Sequence, residues 1–392
     1  MNTQEQRTVV PDGLWRGAPP APPTSVAVIE SLATGSPAPT YDQAESADRV
    51  AQRFDDPAQA ARIRRVYAKT QVAERHLAID PLTPEFAEFS ARPDTIRERM
   101  DLFYEHAAPL AIDTARRALG ETRPEDVGQL VFVTSTGFLA PGVDVAVIRA
   151  LGLAASTSRV VINFMGCAAA MNALRVSTDY VRANPDRKSL MICLEISSVN
   201  AVFSGDPNDV VISSLFADGC GAALIGASEV GHPLRSGSIV VRDTFSHLLD
   251  GAEDGIVLGV NANGITCELA QSLPQYILGG VRPVIDEVLG RNGLSDADVA
   301  HWAIHPGGPK IIESAAQARP AGRGVATELG RARRARQHAQ RLPAVRPRAP
   351  PGPDARRCSC RAEHGHGLLV RTGRHGRGFP VRRHHRRRMS TP

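Results

Sequence analysis

Three groups of residues in this 392-residue chain have types and spacing suited to chemistry. Cys167 follows the apolar run VINFM and Gly166, and three alanines come after it. A cysteine at a strand-to-helix turn sits near a helix N-terminus, where partial positive charge favours the thiolate. Small neighbours let a substrate and backbone amides come close. The pattern fits a nucleophile, and it equally fits a buried structural cysteine. His305, in HWAIHPGGPKII, ends a short apolar run before a Pro-Gly-Gly turn. Functional groups of α/β sheets gather at such strand ends. A hydrogen-bonded turn histidine accounts for His305 taken alone. A Cys and a His on two separate strand ends make a nucleophile and its base the stronger joint reading. The third group is Arg62, Arg64, Arg65 and Lys69 in ARIRRVYAKT. Arg62, Arg65 and Lys69 share one helical face through i+3 and i+4 spacing. That face could hold phosphates or simply be solvated.

The elements that must position these residues can be read from hydrophobic period. QLVFVTS (129–135), RVVINFM (159–165) and SLMICLEIS (189–197) are apolar runs that predict buried strands, and 221–225 predicts a fourth. Residues 142–153 and 168–183 have helical spacing. After a polar break at 231–236 the alternation resumes. It predicts strands over 238–243 and 301–305, and helices over 275–290 and from Pro309. Repeated β-α alternation argues α/β layers. The predicted units are an N-terminal arm (1–23), a first half (24–232), a second half (233–318) and a tail (319–392).

Composition narrows the function classes. The chain is 42% hydrophobic and 22% charged, a globular balance. No run reaches the roughly 18 apolar residues of a membrane span, and the N-terminus lacks a signal-peptide layout. Six cysteines in this length argue for a reducing, cytoplasmic setting rather than a disulfide framework. The net charge of +5 hides a split. Residues 1–318 hold 26 Lys+Arg against 38 Asp+Glu, whereas 319–392 hold 20 Arg, no Lys and 3 acids.

GCAAAMNA around Cys167, SLFADGCGAALIGAS at 214–228, GITCEL at 264–269 and IHPGGPKIIE at 304–313 resemble a type III polyketide synthase of the chalcone synthase family. STGFLAPGVDVAV at 135–147 and FSHLLDGAEDGIVLGVNANGITCEL at 245–269 resemble its mycobacterial and actinomycete long-chain alkylpyrone synthases. The resemblance covers about 24–318. It implies an α/β, thiolase-like fold of two similar halves in a layered αβαβα core, working as a homodimer. By resemblance Cys167 is the acyl-accepting nucleophile and His305 its catalytic partner. Phe216 is the gatekeeper between the coenzyme A tunnel and the cavity, which Ser135 and Ser197 line. Arg62, Arg65 and Lys69 fall on the coenzyme A positions, so here the phosphate-holding reading is preferred. Ala140 stands where plant enzymes carry a methionine, which leaves room for an acyl chain. Acyl-CoA and malonyl-CoA are the implied substrates, with no cofactor or metal.

The resemblance breaks off in the tail. The family's third catalytic residue, an asparagine in a GNM-like motif, has Arg336, Gln337 and His338 in its place. Back-translated into GC-rich codons and shifted by one nucleotide, residues 328–341 read SWDVLAEHGNMLN. The asparagine codon straddles Gln337 and His338. Residues 365–384 shift likewise to GTGFSFGPGVTVEGFLFDVI, the family's missing glycine loop. The tail therefore reads as out of frame from about 318–320, a segment with no element of its own, disordered or misfolded. In that light Cys358, Cys360, His364 and His366 only mimic zinc-ligand spacing. The competing reading is a non-catalytic remnant whose basic tail binds nucleic acid or anionic surfaces non-specifically.

Overall fold

The computed structural model describes residues 25–203, 206–234 and 237–318, and the backbone of 369–372. The expected arm, the Cys/His cluster at 358–366 and the arginine run lie outside the described residues.

The first half is built on a six-stranded mixed sheet. Its strands are β1 (Ser25–Gly35), β4 (Val127–Thr134), β5 (Ser158–Asn163), β6 (Lys188–Glu195), β7 (Gly219–Glu229) and β8 (Ile239–Val241), in the order β5-β4-β6-β7-β1-β8. A small hairpin, β2 (Thr40–Asp42) with β3 (Glu74–His76), stands apart. β4 pairs in parallel with β5 and β6, while β7 runs antiparallel to β6 and β1. Every residue of β4 is buried, as a strand covered on both faces requires. One cover is α4 (Ile96–Leu119) with α5 (Val143–Leu151). α4 turns Phe103, Ala107, Ala111, Ala115 and Ala118 inward, and the four alanines let the helix settle close to the sheet. The other cover is α6 (Ala169–Ala183), through Ala169, Ala173, Leu174 and Val181.

Helix starts follow local chemistry. α1 (Gln43–Ala51) is capped by Asp42, which accepts from the N–H groups of Ala44 (2.8 Å) and Glu45 (2.9 Å). α2 (Pro57–Lys69) has Asp56 as its cap and proline in the first turn. α3 (Pro84–Ala91) repeats this with Thr83. α7 (Pro207–Leu215) does so with Asp206.

The second half contains the hairpin β9 (Ile256–Asn261) with β10 (Gly264–Leu269), α8 (Leu273–Arg291), β11 (Val299–Ala303) and α9 (Pro309–Gln317). Its buried cluster is Ile285, Leu289, Val299 and Trp302.

Two expectations change. β5 is not a buried strand: it is the sheet edge, with Val161 48% exposed. An apolar run reads the same at the centre and at an edge, because period reports faces and not neighbours. The break at 231–236 is not a clean boundary, since β8 lies beyond it and pairs with β1. Beyond α9, the backbone of β12 (Leu369–Thr372) pairs antiparallel with β11.

Candidate active site

The C-terminal ends of β5, β4 and β6 lie side by side. Register places Asn163 of β5 opposite Thr134 of β4. Past β5 the chain turns sharply through Phe164 (φ 54°) and Gly166 (φ 71°). A bulky residue at positive φ is strained, so this turn is held by its surroundings. The Phe164 ring leans on Phe138, 6.1 Å between centroids. The turn delivers Cys167 immediately before α6.

The backbone N–H groups of Cys167 and Ala168 act on the Cys167 sulfur and favour its charged form. Burial is the larger influence, and the charge of Glu195 adds to it; the thiol is pushed up to about 11. The amides at the helix start favour the thiolate, as expected, and desolvation of the free thiol works against them.

Sequence reasoning missed Glu195. It ends β6, and burial pushes its carboxyl up to about 7. The Ser135 N–H donates to Oε1 (2.9 Å) and Oε2 (3.0 Å), the Thr136 hydroxyl to Oε2 at 2.7 Å and the Thr134 hydroxyl to Oε2 at 3.3 Å. A lone acid at the end of the run SLMICL was the available signal. Nearby, Ser135 Oγ and Asn163 Oδ1 are buried with no hydrogen-bond partner among the described residues.

Ser197 opens the short turn Ser197–Asn200. Asn200 ties this turn to the neighbouring walls: its amide donates to Thr136 O (2.8 Å) and its Oδ1 accepts from Ile265 N of β10 (3.3 Å). β10 brings Cys267, whose thiol is raised to about 11 by burial and, to a lesser degree, by Cys167. Arg99, fully buried, donates to Val199 O (2.5 Å) and stacks on Phe86 and Phe89.

Phe216, 36% exposed, stands at the C-terminus of α7. Two buried groups of opposite charge fix its place. Arg75 Nη1 donates to Phe216 O (3.1 Å) and to Ser213 O. Asp218 accepts from Ala78 N (2.6 Å), Ser198 N (2.9 Å) and Ser198 Oγ (2.5 Å). Neither buried charge was legible in the sequence.

Arg62, Arg65 and Lys69 are exposed on α2, as their spacing predicts. A groove of about 700 Å³ runs between α2 and α7, lined by Arg62, Ile63, Val66, Asn208, Val211 and Leu269 among others. Arg65 and Lys69 lie outside its lining. Ala140 is exposed, before Pro141. His305 follows β11 and is half-buried, and burial lowers its imidazole below the usual value. Among the described residues no group of three or more metal-ligating side chains occurs, and no helix is long and apolar enough to cross a membrane.

The sequence model for chalcone and stilbene synthases, N-terminal domain, matches residues 22–229, and that for the C-terminal domain matches 241–319. An "Alpha-pyrone synthesis polyketide synthase-like Pks18" of Mycobacterium tuberculosis is 58% identical over 313 residues, 79% of each chain. A "3,5-dihydroxyphenylacetyl-CoA synthase" of Amycolatopsis balhimycina is 30% identical over 74% of this chain and 76% of that one. Among solved structures, a polyketide synthase of the brown alga Ectocarpus siliculosus superimposes with a TM-score of 0.71 at 35% identity. It covers 81% of this chain and 91% of its own.

Proposed function

A chain matched in this way belongs to the chalcone and stilbene synthase family, and from that membership we propose that it is a type III polyketide synthase making alkylpyrones. The fold is the thiolase-like α/β fold of that family. The starter is an acyl-CoA, a long-chain one on this reading, and malonyl-CoA supplies the extensions. The single observation that carries the pyrone assignment is the 58% identity to the mycobacterial relative, whose description names alpha-pyrone synthesis.

The roles are those that resemblance to the family assigns to these residues. Cys167 attacks the starter thioester once a base takes its proton, since its thiol is raised to about 11. His305, whose imidazole burial lowers, is suited to accept that proton. The amides of Cys167 and Ala168 can stabilise charge developing at the turn. Arg62, Arg65 and Lys69, exposed together on α2, meet coenzyme A phosphates. By the same resemblance Phe216 is the gatekeeper between coenzyme A tunnel and cavity, and Ser135, Ser197 and Ala140 bound the space for the chain. Malonyl-CoA loses CO2, the enolate condenses with the thioester, and the extended chain closes to a pyrone. The reaction needs no cofactor, and the working form is a cytoplasmic homodimer.

Residues after about 318 are out of frame on this reading. What supports it is that the match to the C-terminal domain ends at residue 319. The non-catalytic alternative gains nothing from the similarities, because the relatives named above are synthases. The test is release of labelled CO2 from malonyl-CoA, dependent on an added acyl-CoA. Loss of release in Cys167→Ala supports the assignment. Equal release with and without Cys167 sinks it.

A further inference from the structure

Resting on that reading, we propose that Arg75 is the positioning residue for Phe216, holding the last turn of α7 in place and tying it to the helix that bears Arg62, Arg65 and Lys69. Arg75 is the middle residue of β3 and is buried. Its guanidinium donates to three neutral oxygens: Gln43 Oε1 (2.9 Å), Ser213 O and Phe216 O (3.1 Å). A buried cation needs a counter-charge. The end of α7 supplies one, because the last carbonyls of a helix lack backbone donors and carry the negative end of its dipole. The charge of Asp218 adds to this. Gln43 Nε2 takes an intervening carbonyl, Ser214 O (2.7 Å). Phe216 needs such a hold. Its ring is half-exposed and, among the described residues, stacks on no other ring, so packing alone does little to place it.

The same network reaches α2. Tyr67 is buried on that helix, whereas Arg62, Arg65 and Lys69 are exposed on it. The Tyr67 hydroxyl donates to Ser213 Oγ (3.1 Å), and the Arg75 guanidinium lies over the Tyr67 ring, 5.8 Å from its centroid. Gln43 Nε2 also donates to Thr70 Oγ1 (3.1 Å), on the residue that caps the C-terminus of α2. The C-terminal half of α2 is thus joined to the last turn of α7 at two points, one through Tyr67 and one through Gln43. Arg75 sits between them. A planar guanidinium that bonds two carbonyls at once sets their orientation as well as their distance. A lysine ammonium would keep the charge at the helix end and lose that fork. The phosphate-binding helix and the gatekeeper therefore share one buried scaffold, so a coenzyme A thioester seated on α2 meets Phe216 at a fixed offset.

The experiment follows acylation of Cys167 in the full chain by lauroyl-CoA, with intact-protein mass giving the rate at each concentration. Arg75→Gln should lower the second-order rate of loading about 10–100-fold. Arg75→Lys should recover part of that loss. In a Phe216→Ala background, Arg75→Gln should change loading little further, because the side chain it positions is gone. Equal factors in the two backgrounds overturn the proposal, since a merely structural role adds to the loss of Phe216 instead of acting through it. Amide exchange gives a second reading that needs no turnover. The Phe216 N–H, bonded to Ile212 O (3.0 Å), and the Asp218 N–H, bonded to His76 O (2.9 Å), should exchange faster in Arg75→Gln while the amides of α4 do not. Unchanged exchange at those two amides overturns the proposal. If Arg75→Gln does not fold, Arg75→Lys decides by the same two readings. If the unmodified chain takes no acyl group from lauroyl-CoA, the synthase reading falls, and exchange at residues 216 and 218 still decides whether Arg75 holds the turn.

Discussion

All eight residues of β4 are shielded from water, but of the five in β11 only Val299 and Trp302 are. The helices show the same contrast. α4 buries Phe103, Ala107, Ala111, Ala115 and others along one stripe, whereas α8, nineteen residues long, buries Ile285 and Leu289. The sequence pattern is not poorer in the second half. Ile256, Val257, Val260 and Leu278 are apolar and exposed because, among the described residues, no layer lies opposite them. An amphipathic element is stabilised only by the surface it meets, so the pattern alone does not make a core.

The reading frame offers the strongest way to break this contrast. A one-nucleotide correction between codons 310 and 345, restoring SWDVLAEHGNM, should raise CO2 release from malonyl-CoA at least about 100-fold, the scale of one charge-stabilising donor. It should also bury the apolar face of β9 and α8, read as new amide protection in hydrogen exchange. No change in either would show that the tail as written already completes the second half. Next come cavities. Leu130→Ala, in the middle of β4, should cost about 2–5 kcal/mol of stability in a denaturant titration. Leu289→Ala in α8 should cost less, since fewer neighbours hold a cavity open around it. Equal costs would remove the distinction between the halves.

A smaller effect is specific to the first half. Folding raises the Glu195 carboxyl from 4.5 to about 7. The folded chain therefore holds a proton there that the unfolded chain has released. Stability from this group is highest below about pH 4.5, declines as pH rises toward about 7, and is flat above that, by up to about 3 kcal/mol. Melting curves between pH 4.5 and 8 should show this decline reduced in Glu195→Gln. Smallest of all, Asp296→Ala removes the 3.0 Å ion pair with Arg282 in the second half and should change stability by less than about 1 kcal/mol.

Much of the first half could be read from residues in order. The run QLVFVTS gave β4, and the Gly-Cys-Ala sequence after an apolar strand gave the turn that carries Cys167. What sequence order does not carry is depth. Depth decides that β5 is an edge, that the Cys167 thiol is raised and that the Glu195 carboxyl is raised. Arg75 and Asp218 were invisible for the same reason. Each is one charge among many in the sequence, and only folding brings both to the Phe216 turn.

The pairing of β8 with β1 also sets a schedule. β1 begins at Ser25, but its second neighbour ends at Val241, so the sheet is complete once that residue has left the ribosome. At about 5–20 residues per second, the 77 residues from 242 to 318 take a further 4–15 s or so to synthesise. A mixed sheet of this size folds within milliseconds to seconds. The nucleophile turn is thus assembled co-translationally, before any codon of the tail has been read.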